Sequence, residues 1–301
     1  MNIVIFGAGA IGSLIGALLN KKNNVTLIGR SQHINAIKKK GLTIEGETQL
    51  NVKISAEDNI DNLDFSPDLL ILTVKSFDTE TAIRQIKRKL TKNTPILSLQ
   101  NGLDNIEKIE KYIDRRQIIV GNTTHGAFFS KPGYIIHTGT GNTVLGELNG
   151  IKTDRLEKIV DAFNKASIKT DFSKNVIKDI WIKAIVNSSI NPLTTIFQCR
   201  NGYLLENPIL EKIVEKICLE STNIANNSGI RIQYKFVLNK TKEVIRFTSN
   251  NYSSMFQSIR KGKKTEIDSI NGKIVEIGKK HSADISLNNV LVQIVLSIKI
   301  H

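Results

Sequence analysis

The sequence predicts an α/β protein with a doubly wound, mostly parallel sheet at the N-terminus and a second, mainly α-helical domain. Three observations predict this. Short apolar runs alternate with amphipathic segments as far as residue 172, and the short apolar runs stop after that residue. In addition, a length of 301 residues suits two domains better than one. We therefore expect one domain at 1–172 and another at 173–301.

Apolar runs bounded by glycine, proline or polar residues predict strands at 2–6, 24–28, 69–74, 95–99 and from 118 onward. Helical periodicity between these runs predicts helices at 34–40, 78–90 and 106–113. Because helices separate the strands, the sheet is expected to be parallel. Further along, the same periodicity predicts helices at 175–187, 208–227, 236–247 and 269–280.

Composition excludes several classes of protein. Hydrophobic residues make up 40% of the chain, which is enough to bury two cores and excludes a disordered chain. No apolar run has membrane-spanning length, and the first residues lack the features of a signal peptide, so a soluble cytoplasmic protein is expected. Two cysteines make no disulfide framework, and the five scattered histidines predict no metal site.

The formal net charge of +14 raises the question of an anionic partner. The lysines are spread along the chain, and aromatic residues, only 6% of the total, are not interleaved with them. The favoured interpretation is a solvated, lysine-rich surface. An anionic small molecule is the next alternative, and nucleic acid the last.

A glycine motif directly follows the first predicted strand and opens a helix. The first glycine permits a tight turn, the second lets backbone approach a pyrophosphate, and the third lets the helix pack closely on the strand. The helix N-terminus offers N–H groups to phosphates. The context predicts a Rossmann unit that binds a dinucleotide; the alternative is a chance glycine turn. The motif comprises Gly7, Ala8, Gly9, Ala10, Ile11 and Gly12.

The end of the second predicted strand indicates which dinucleotide is bound. Enzymes that use NAD usually carry Asp or Glu there, to bind the ribose 2′-hydroxyl. This chain has Arg30 instead, and a guanidinium can bind a 2′-phosphate through two hydrogen bonds. Arg30 therefore predicts NADP(H). The alternative is a surface arginine that merely follows a strand.

A polar row lies on the first predicted helix of the second domain. Lys183, Asn187 and Asn191 are spaced four residues apart, which puts an amine and two amides on one face of an otherwise apolar helix. Pro192 is expected to end this helix. A buried polar row needs partners, and a ligand with carbonyl, carboxylate and hydroxyl groups would supply them. Alternatively, the lysine reaches the surface and the amides bind backbone.

A further polar cluster covers the segments 251–255 and 264–272. Thr265 is expected to cap a helix, with Asp268 at the capping-box position. Glu266 would then lie in the first turn, where the helix dipole favours a carboxylate.

Taken together, these segments resemble the ketopantoate reductase (2-dehydropantoate 2-reductase) family from residue 2 to about 281. The order and spacing of the matching segments are more specific than any single motif. After Lys280 the chain departs from the pattern, with Ser282 where a glycine often follows the histidine, so the resemblance does not establish a last helix. The matches are GAGAIG at 7–12, Arg30, LTVKS at 72–76, LQNGL at 99–103, TTHGA at 123–127, WIKAIVNSSINPLT at 181–194, NYSSM at 251–255 and KTEIDSINGKI at 264–274.

The resemblance implies the reduction of 2-dehydropantoate to (R)-pantoate by NADPH, on the route to pantothenate and coenzyme A. It implies that Lys183 is catalytic, with Glu266 close to it. Implied substrate positions are Asn101, Asn187, Asn191, Asn201, Asn251 and Ser254. Implied cofactor positions, besides the glycine motif and Arg30, are Lys75, Asn101, Ala127 and Glu266.

This chemistry suits the residue types. Hydride addition to a ketone builds negative charge on oxygen, which an ammonium can stabilise and protonate. We expect the nicotinamide in a cleft between the domains, near Asn101, with Lys183 and Glu266 opposite.

Two alternatives remain open: a reductase of another 2-keto acid, and a non-catalytic NADP(H)-binding regulator that uses its basic face on nucleic acid. The expected partner is a small-molecule 2-keto acid, without nucleic acid or membrane, bound by a monomer or homodimer.

Overall fold

The computed structural model describes residues 1–299, which form two compact units. Met1–Gln100 and Asn105–Val176 make up the first unit; Asn101–Asp104 and the chain from Ile177 onward make up the second. The first unit is α/β and the second is helical, so the predicted fold class is confirmed.

The first unit contains twelve strands and five α-helices. The strands are β1 (Asn2–Phe6), β2 (Asn24–Ile28), β3 (Leu42–Gly46), β4 (Leu50–Val52), β5 (Ser55–Glu57), β6 (Leu69–Leu72), β7 (Ile96–Ser98), β8 (Ile118–Thr123), β9 (Gly126–Lys131), β10 (Tyr134–Gly139), β11 (Thr143–Glu147) and β12 (Thr170–Phe172). The helices are α1 (Ala10–Leu19), α2 (Ser31–Lys40), α3 (Thr79–Ile86), α4 (Asn105–Glu110) and α5 (Asp154–Lys165).

The main sheet has eight strands in the order β12-β11-β8-β7-β6-β1-β2-β5. From β8 to β5 every neighbouring pair is parallel, and only β11 runs antiparallel to its neighbour β8. The central strands β1 and β6 are buried along almost their whole length. This burial on both faces is the physical reason for the continuous apolar runs seen in the sequence.

A second sheet, in the order β4-β3-β10-β9, was not predicted. Its centre is a parallel pairing of β3 with β10, which lie far apart in the chain, so no local pattern indicates it. Helix α1 packs against β2 of the main sheet and against β9 and β10 of the second sheet. Every residue of α1 from Gly12 to Leu19 is consequently buried.

Buried His33 joins three elements around α1. The Gly133 N–H, in the turn between β9 and β10, donates to His33 Nδ1 over 2.9 Å. The neutral ring therefore carries its hydrogen on Nε2, which donates to Ser13 Oγ over 3.0 Å. Burial lowers the pKa of His33 to about 4, so the ring is neutral at physiological pH.

As far as residue 299, the second unit consists of seven α-helices and one π-helical segment. The helices are α6 (Val176–Ile196, which begins at the last residue of the first unit), α7 (Tyr203–Glu206), α8 (Pro208–Asn227), α9 (Tyr234–Phe247), α10 (Ser254–Arg260), α11 (Lys273–Lys280) and α12 (Ser286–Ser297). The π-helical segment Asp268–Gly272 runs directly into α11. Helix α8 has the predicted bounds because Asn207 caps it and Pro208 begins it.

Two local predictions in this unit were wrong. Pro192 does not end its helix, since α6 continues to Ile196. Pro192 has no N–H and therefore cannot donate to the carbonyl of Ser188. That carbonyl instead accepts a hydrogen bond from Asn271 Nδ2 over 3.2 Å. This side-chain donor removes part of the penalty of a proline inside a helix.

The predicted cap at Thr265 was also wrong. Helical structure begins at Asp268, so Glu266 precedes the first turn instead of lying in it. The Gly272 N–H donates to Ile267 O, five residues back, which widens the first turn into a π-helix. Thr265 Oγ1 accepts only one long hydrogen bond, from the Ile267 N–H over 3.4 Å.

Among residues 1–299, no helix is both long enough and apolar enough to span a membrane.

The depressed pKa of His33 predicts a loss of stability in acid. The folded state keeps the ring neutral, so protonation favours the unfolded state as pH falls from about 6.5 towards 4. The loss should reach about 3 kcal/mol. Replacing His33 with Asn should reduce the slope of unfolding free energy against pH in that window, by an amount that corresponds to the uptake of up to one proton on unfolding. Urea unfolding at several pH values measures this slope.

The exposed His281 provides the control, because His281→Gln should leave the slope as in the wild type. Burial also lowers the pKa of His125 and of His137, so some slope should remain in the His33 variant. An unchanged slope in His33→Asn would contradict the prediction.

Candidate active site

The glycine motif forms a tight loop between β1 and α1. Gly7 has φ +115°, a conformation that favours glycine, and its carbonyl accepts a hydrogen bond from Thr73 Oγ1 over 2.8 Å. A Cβ on Gly7 would lie 2.6 Å from Val74 N, and a Cβ on Gly12 would overlap Gly7 O and Thr73 Oγ1. Both glycines are therefore required by packing within the first unit.

Gly9 differs from these two glycines. A Cβ there would meet only Gly7 O, at 3.9 Å. Packing within the protein therefore does not require glycine at this position. Gly9 is the N-cap of α1, and the first turn of that helix contains no acidic residue. The space beside Gly9 and the N–H groups of the first turn fit the pyrophosphate of a dinucleotide.

Arg30 and Lys75 follow strands next to β1, on the side of the sheet where the glycine motif lies. Arg30 is exposed and is the N-cap of α2, directly after Gly29, whose Cβ would lie 2.7 Å from Ala8 Cβ. Lys75 is half-buried and follows Val74, which contacts Gly7. The carboxyl ends of β2 and β6 thus place both basic residues beside the motif.

The residue that follows Arg30 is bonded to a carboxylate, that of Asp58. Ser31 Oγ donates to Asp58 Oδ2 over 2.8 Å. The edge that carries Arg30 therefore also carries a negative charge, which sequence reasoning missed because Asp58 lies beyond β5.

Ala127 lies on β9 of the second sheet, opposite His137 of β10. It is half-buried and packs against the hydrophobic core that includes α1.

The polar row on α6 lies within the second unit. Lys183 and Asn187 are half-buried, while Asn191 is only 6% exposed. Within the described chain, the side-chain amides of Asn187 and Asn191 form no hydrogen bond. By contrast, Ser189 and Thr195 on the same helix donate to carbonyls one turn back. The two amides are thus available to a ligand.

Asn201, Asn251 and Ser254 lie near one another and near the end of α6. The Asn201 N–H donates to Asn251 O over 2.9 Å, and Thr194 Oγ1 on α6 donates to Ser253 Oγ over 2.7 Å. Asn201 Nδ2 donates to Thr248, but its buried Oδ1 has no partner in residues 1–299. Ser253, not Ser254, caps α10, which leaves the exposed Ser254 outside the capping interaction.

Asn101 and Glu266 are brought to one region by a close backbone contact. The Leu103 N–H donates to Ser269 O over 2.9 Å, and a Cβ on Gly102 would lie 2.9 Å from Ser269 Cβ. Gly102 has φ +98°, so both space and backbone conformation require glycine. Glu266, 6% exposed, precedes the same π-helical segment.

Asn271 was not predicted as a site residue. The available signal was a proline inside an apolar helix, which requires a side-chain donor for the carbonyl four residues earlier.

These features define a class: a protein with a Rossmann-type dinucleotide unit and a helical unit that carries a lysine and, within residues 1–299, several side-chain amides that form no hydrogen bond. Comparison with known proteins identifies the family. The family model described as "Ketopantoate reductase PanE/ApbA" matches residues 3–150, and its C-terminal counterpart matches residues 175–299. The chain belongs to the ketopantoate reductase family.

Individual proteins agree with this assignment. The chain is 41% identical to the 2-dehydropantoate 2-reductase of Pyrococcus horikoshii, over 97% of this chain and 95% of that protein. A PanE/ApbA family ketopantoate reductase from Ralstonia eutropha superposes with a TM-score of 0.90 at 29% identity, covering 98% of this chain and 97% of that one.

A solved D-mandelate dehydrogenase, in a ternary structure with NADH and anilino(oxo)acetate, superposes with a TM-score of 0.94. It is 29% identical, and the match covers 99% of this chain and 98% of that chain. The family and its structural neighbours use NAD(P)H, and the chain is an oxidoreductase acting on CH–OH groups.

The loop geometry predicts opposite behaviour for two glycine substitutions. Gly9→Ala should fold normally, because its Cβ meets no close atom, yet it should weaken NADPH binding by roughly tenfold or more by blocking the approach of the pyrophosphate. Gly12→Ala should lower the thermal unfolding temperature even without cofactor, because its Cβ overlaps Gly7 and Thr73. Fluorescence titration with NADPH and thermal unfolding distinguish the two effects. Normal NADPH affinity in folded Gly9→Ala would contradict the assignment of the loop.

Proposed function

We propose that this protein reduces 2-dehydropantoate to (R)-pantoate with NADPH, in the biosynthesis of pantothenate and coenzyme A. The observation that carries the proposal is the set of polar side chains on the helical unit that no protein group satisfies. Asn187, Asn191, Asn251 and Ser254 form no side-chain hydrogen bonds within residues 1–299, and buried Asn201 Oδ1 has none either. Similarity to the reductase of Pyrococcus horikoshii supports this substrate.

A buried amide group without a partner costs about 1 to 3 kcal/mol, so the buried amides of Asn191 and Asn201 are retained where a ligand offsets that cost. The substrate carries a carboxylate, a ketone and a hydroxyl group. Amide N–H groups can donate to the carboxylate and ketone oxygens, and an amide oxygen or the Ser254 hydroxyl can accept from the substrate hydroxyl. The residue types therefore suit this substrate at each functional group.

Lys183 is proposed as the general acid. When bound, NADPH supplies a hydride to the ketone carbon, and the ketone oxygen becomes negatively charged. The Lys183 ammonium would stabilise that oxygen and transfer a proton to it from Nζ. Glu266, buried near the segment that holds Asn101, would orient the ammonium and balance its charge.

Asn101 is proposed to lie where substrate and cofactor meet. It belongs to the second unit, although the strand before it and the helix after it belong to the first. Its loop is held by the contact of Leu103 with Ser269.

The cofactor would bind at the glycine motif, with Lys75 and Ala127 as further contacts. We propose a preference for NADP(H), because the exposed Arg30 can bind a 2′-phosphate. The net charge of +14 suits an anionic substrate and cofactor without any nucleic acid. We further propose that the protein acts in the cytoplasm as a monomer or a homodimer.

The activity predicts a decrease in absorbance at the NADPH band when the purified protein receives NADPH and 2-dehydropantoate. Lys183→Ala should lower kcat by about a hundredfold or more, as expected for loss of a general acid, with unchanged NADPH affinity. Lys216→Ala, an exposed lysine of α8, is the matched control and should retain wild-type kcat. Absence of turnover by the wild-type protein would overturn the proposed function.

Cofactor preference can be tested at the edge that carries Arg30. Arg30→Asp should raise the KM for NADPH on the order of tenfold to a hundredfold while sparing kcat with NADH, because a carboxylate repels the 2′-phosphate. Lys39→Asp, an exposed residue of α2, controls for the change in net charge. Asp58→Asn should lower the KM for NADPH by removing the negative charge that is hydrogen-bonded to Ser31, the residue after Arg30. Equal use of NADPH and NADH by the wild type would refute the preference.

A second candidate is the reduction of another 2-keto acid. Similarity to D-mandelate dehydrogenase favours it, since that protein was solved with anilino(oxo)acetate. A panel of 2-keto acids compared by kcat/KM separates the two candidates, and 2-dehydropantoate should have the highest value.

A further inference from the structure

Pro192 leaves a gap in the hydrogen bonding of α6. In an α-helix each N–H donates to the carbonyl four residues earlier, so residue 192 should donate to Ser188 O. Proline has no N–H, and its ring disfavours a straight helix at this point. The gap lies in the same turns of α6 as the proposed amide row, because Ser188 follows Asn187 and Pro192 follows Asn191.

The side chain of Asn271 fills this gap. Its Nδ2 lies 3.2 Å from Ser188 O and 2.9 Å from Asn288 Oδ1, so both amide hydrogens have acceptors. Asn271 is 0% exposed. A donor in this position would otherwise have to come from water, which the burial of Asn271 disfavours.

The orientation of the Asn271 amide is fixed by its neighbours. Asn288 Nδ2 donates to Glu220 Oε1 over 2.8 Å and to Ser221 Oγ over 3.0 Å, so Asn288 must present its oxygen to Asn271. Glu220 also accepts the N–H groups of Leu287 and Asn288 at the start of α12. The network leaves Asn271 Oδ1 buried without a partner in the described chain, which is the cost of aiming Nδ2 at Ser188.

This one contact joins the two segments that carry the proposed catalytic groups. Helix α6 carries Lys183, Asn187 and Asn191, with the gap between the last two. Asn271 belongs to the π-helical segment that follows Glu266. A bend of α6 at the gap would move Asn191 relative to Lys183, and a shift of the π-helical segment would move Glu266.

We propose that Asn271 is a positioning residue: by supplying the N–H that Pro192 lacks, it fixes the amide row of α6 and the Glu266 segment in one geometry. The inference rests on the proposed function. It assigns to Asn271 no contact with substrate or cofactor.

The experiment is a double-mutant cycle of Asn271→Leu and Pro192→Ala. Asn271→Leu removes the donor and should raise the KM for 2-dehydropantoate and lower kcat, with kcat/KM falling on the order of tenfold, the effect of one buried hydrogen bond. Pro192→Ala restores a backbone N–H for Ser188 O and should by itself stay within about threefold of wild type. The double variant should recover to the level of Pro192→Ala, because Asn271 is then no longer needed.

Two controls separate positioning from folding. The far-ultraviolet circular dichroism spectrum should be the same in all four proteins, which shows that the helical unit is folded in each. Asn239→Leu, the same substitution at an exposed site of α9, should leave KM and kcat unchanged. If Asn271→Leu does not fold, Asn271→Ala, which introduces no bulk, takes its place in the cycle.

The outcomes are distinguishable from failure of the proposed function. No turnover by the wild type refutes that function and leaves no geometry for Asn271 to fix. Turnover by the wild type with unchanged KM and kcat in the Asn271 variant overturns the positioning role, even if thermal stability falls. A double variant as defective as the Asn271 variant also overturns it, because the missing N–H would not be the cause.

Discussion

The first unit depends on the contact between the loop after β1 and the end of β6. Gly7 and Gly12 leave no room for a side chain, and Thr73 donates a hydrogen bond to the Gly7 carbonyl. Because α1 starts from this loop, the contact sets the direction in which the helix enters the space against β2, β9 and β10. The same contact shapes the open space beside Gly9. Packing does not require glycine at that position. Packing thus requires two glycines of the motif, whereas Gly9 is the glycine proposed to face the cofactor.

In the helical unit, the constraint is the satisfaction of buried polar groups. Small hydroxyl residues of α6 solve it locally: Ser188, Ser189 and Thr195 donate to carbonyls of their own helix. The amides of Asn187 and Asn191 cannot be explained in this way, since they form no side-chain hydrogen bond in residues 1–299. On this single helix, the contrast separates residues whose side chains stabilise the fold from the two residues proposed to bind a ligand.

Much of the fold could be predicted from local pattern. Strands β1 and β2 and helix α8 have the predicted bounds, because continuous apolar runs and the Asn207–Pro208 cap are local signals. Of the candidate site, the glycine motif, Arg30 and the α6 row could be selected by residue type and spacing. The second sheet could not, because β3 and β10 pair across a long stretch of chain. Asn271 and the contact of Ser253 with Thr194 were also missed, since Ser188, the partner of Asn271, and Thr194 are distant in sequence from them.

The sequence by itself determined the α/β class, the helical second unit, the dinucleotide motif and the membership of a family, because each is encoded by residue types at fixed local spacing. Only the tertiary structure decided that α6 passes through Pro192, that α11 is preceded by a π-helical turn, and that Gly102 holds its loop against Ser269. The first and the last of these outcomes depend on a hydrogen bond and a close contact between residues far apart in the chain. Local propensity carries no information about such partners, and it therefore predicted a helix end where a distant asparagine allows the helix to continue.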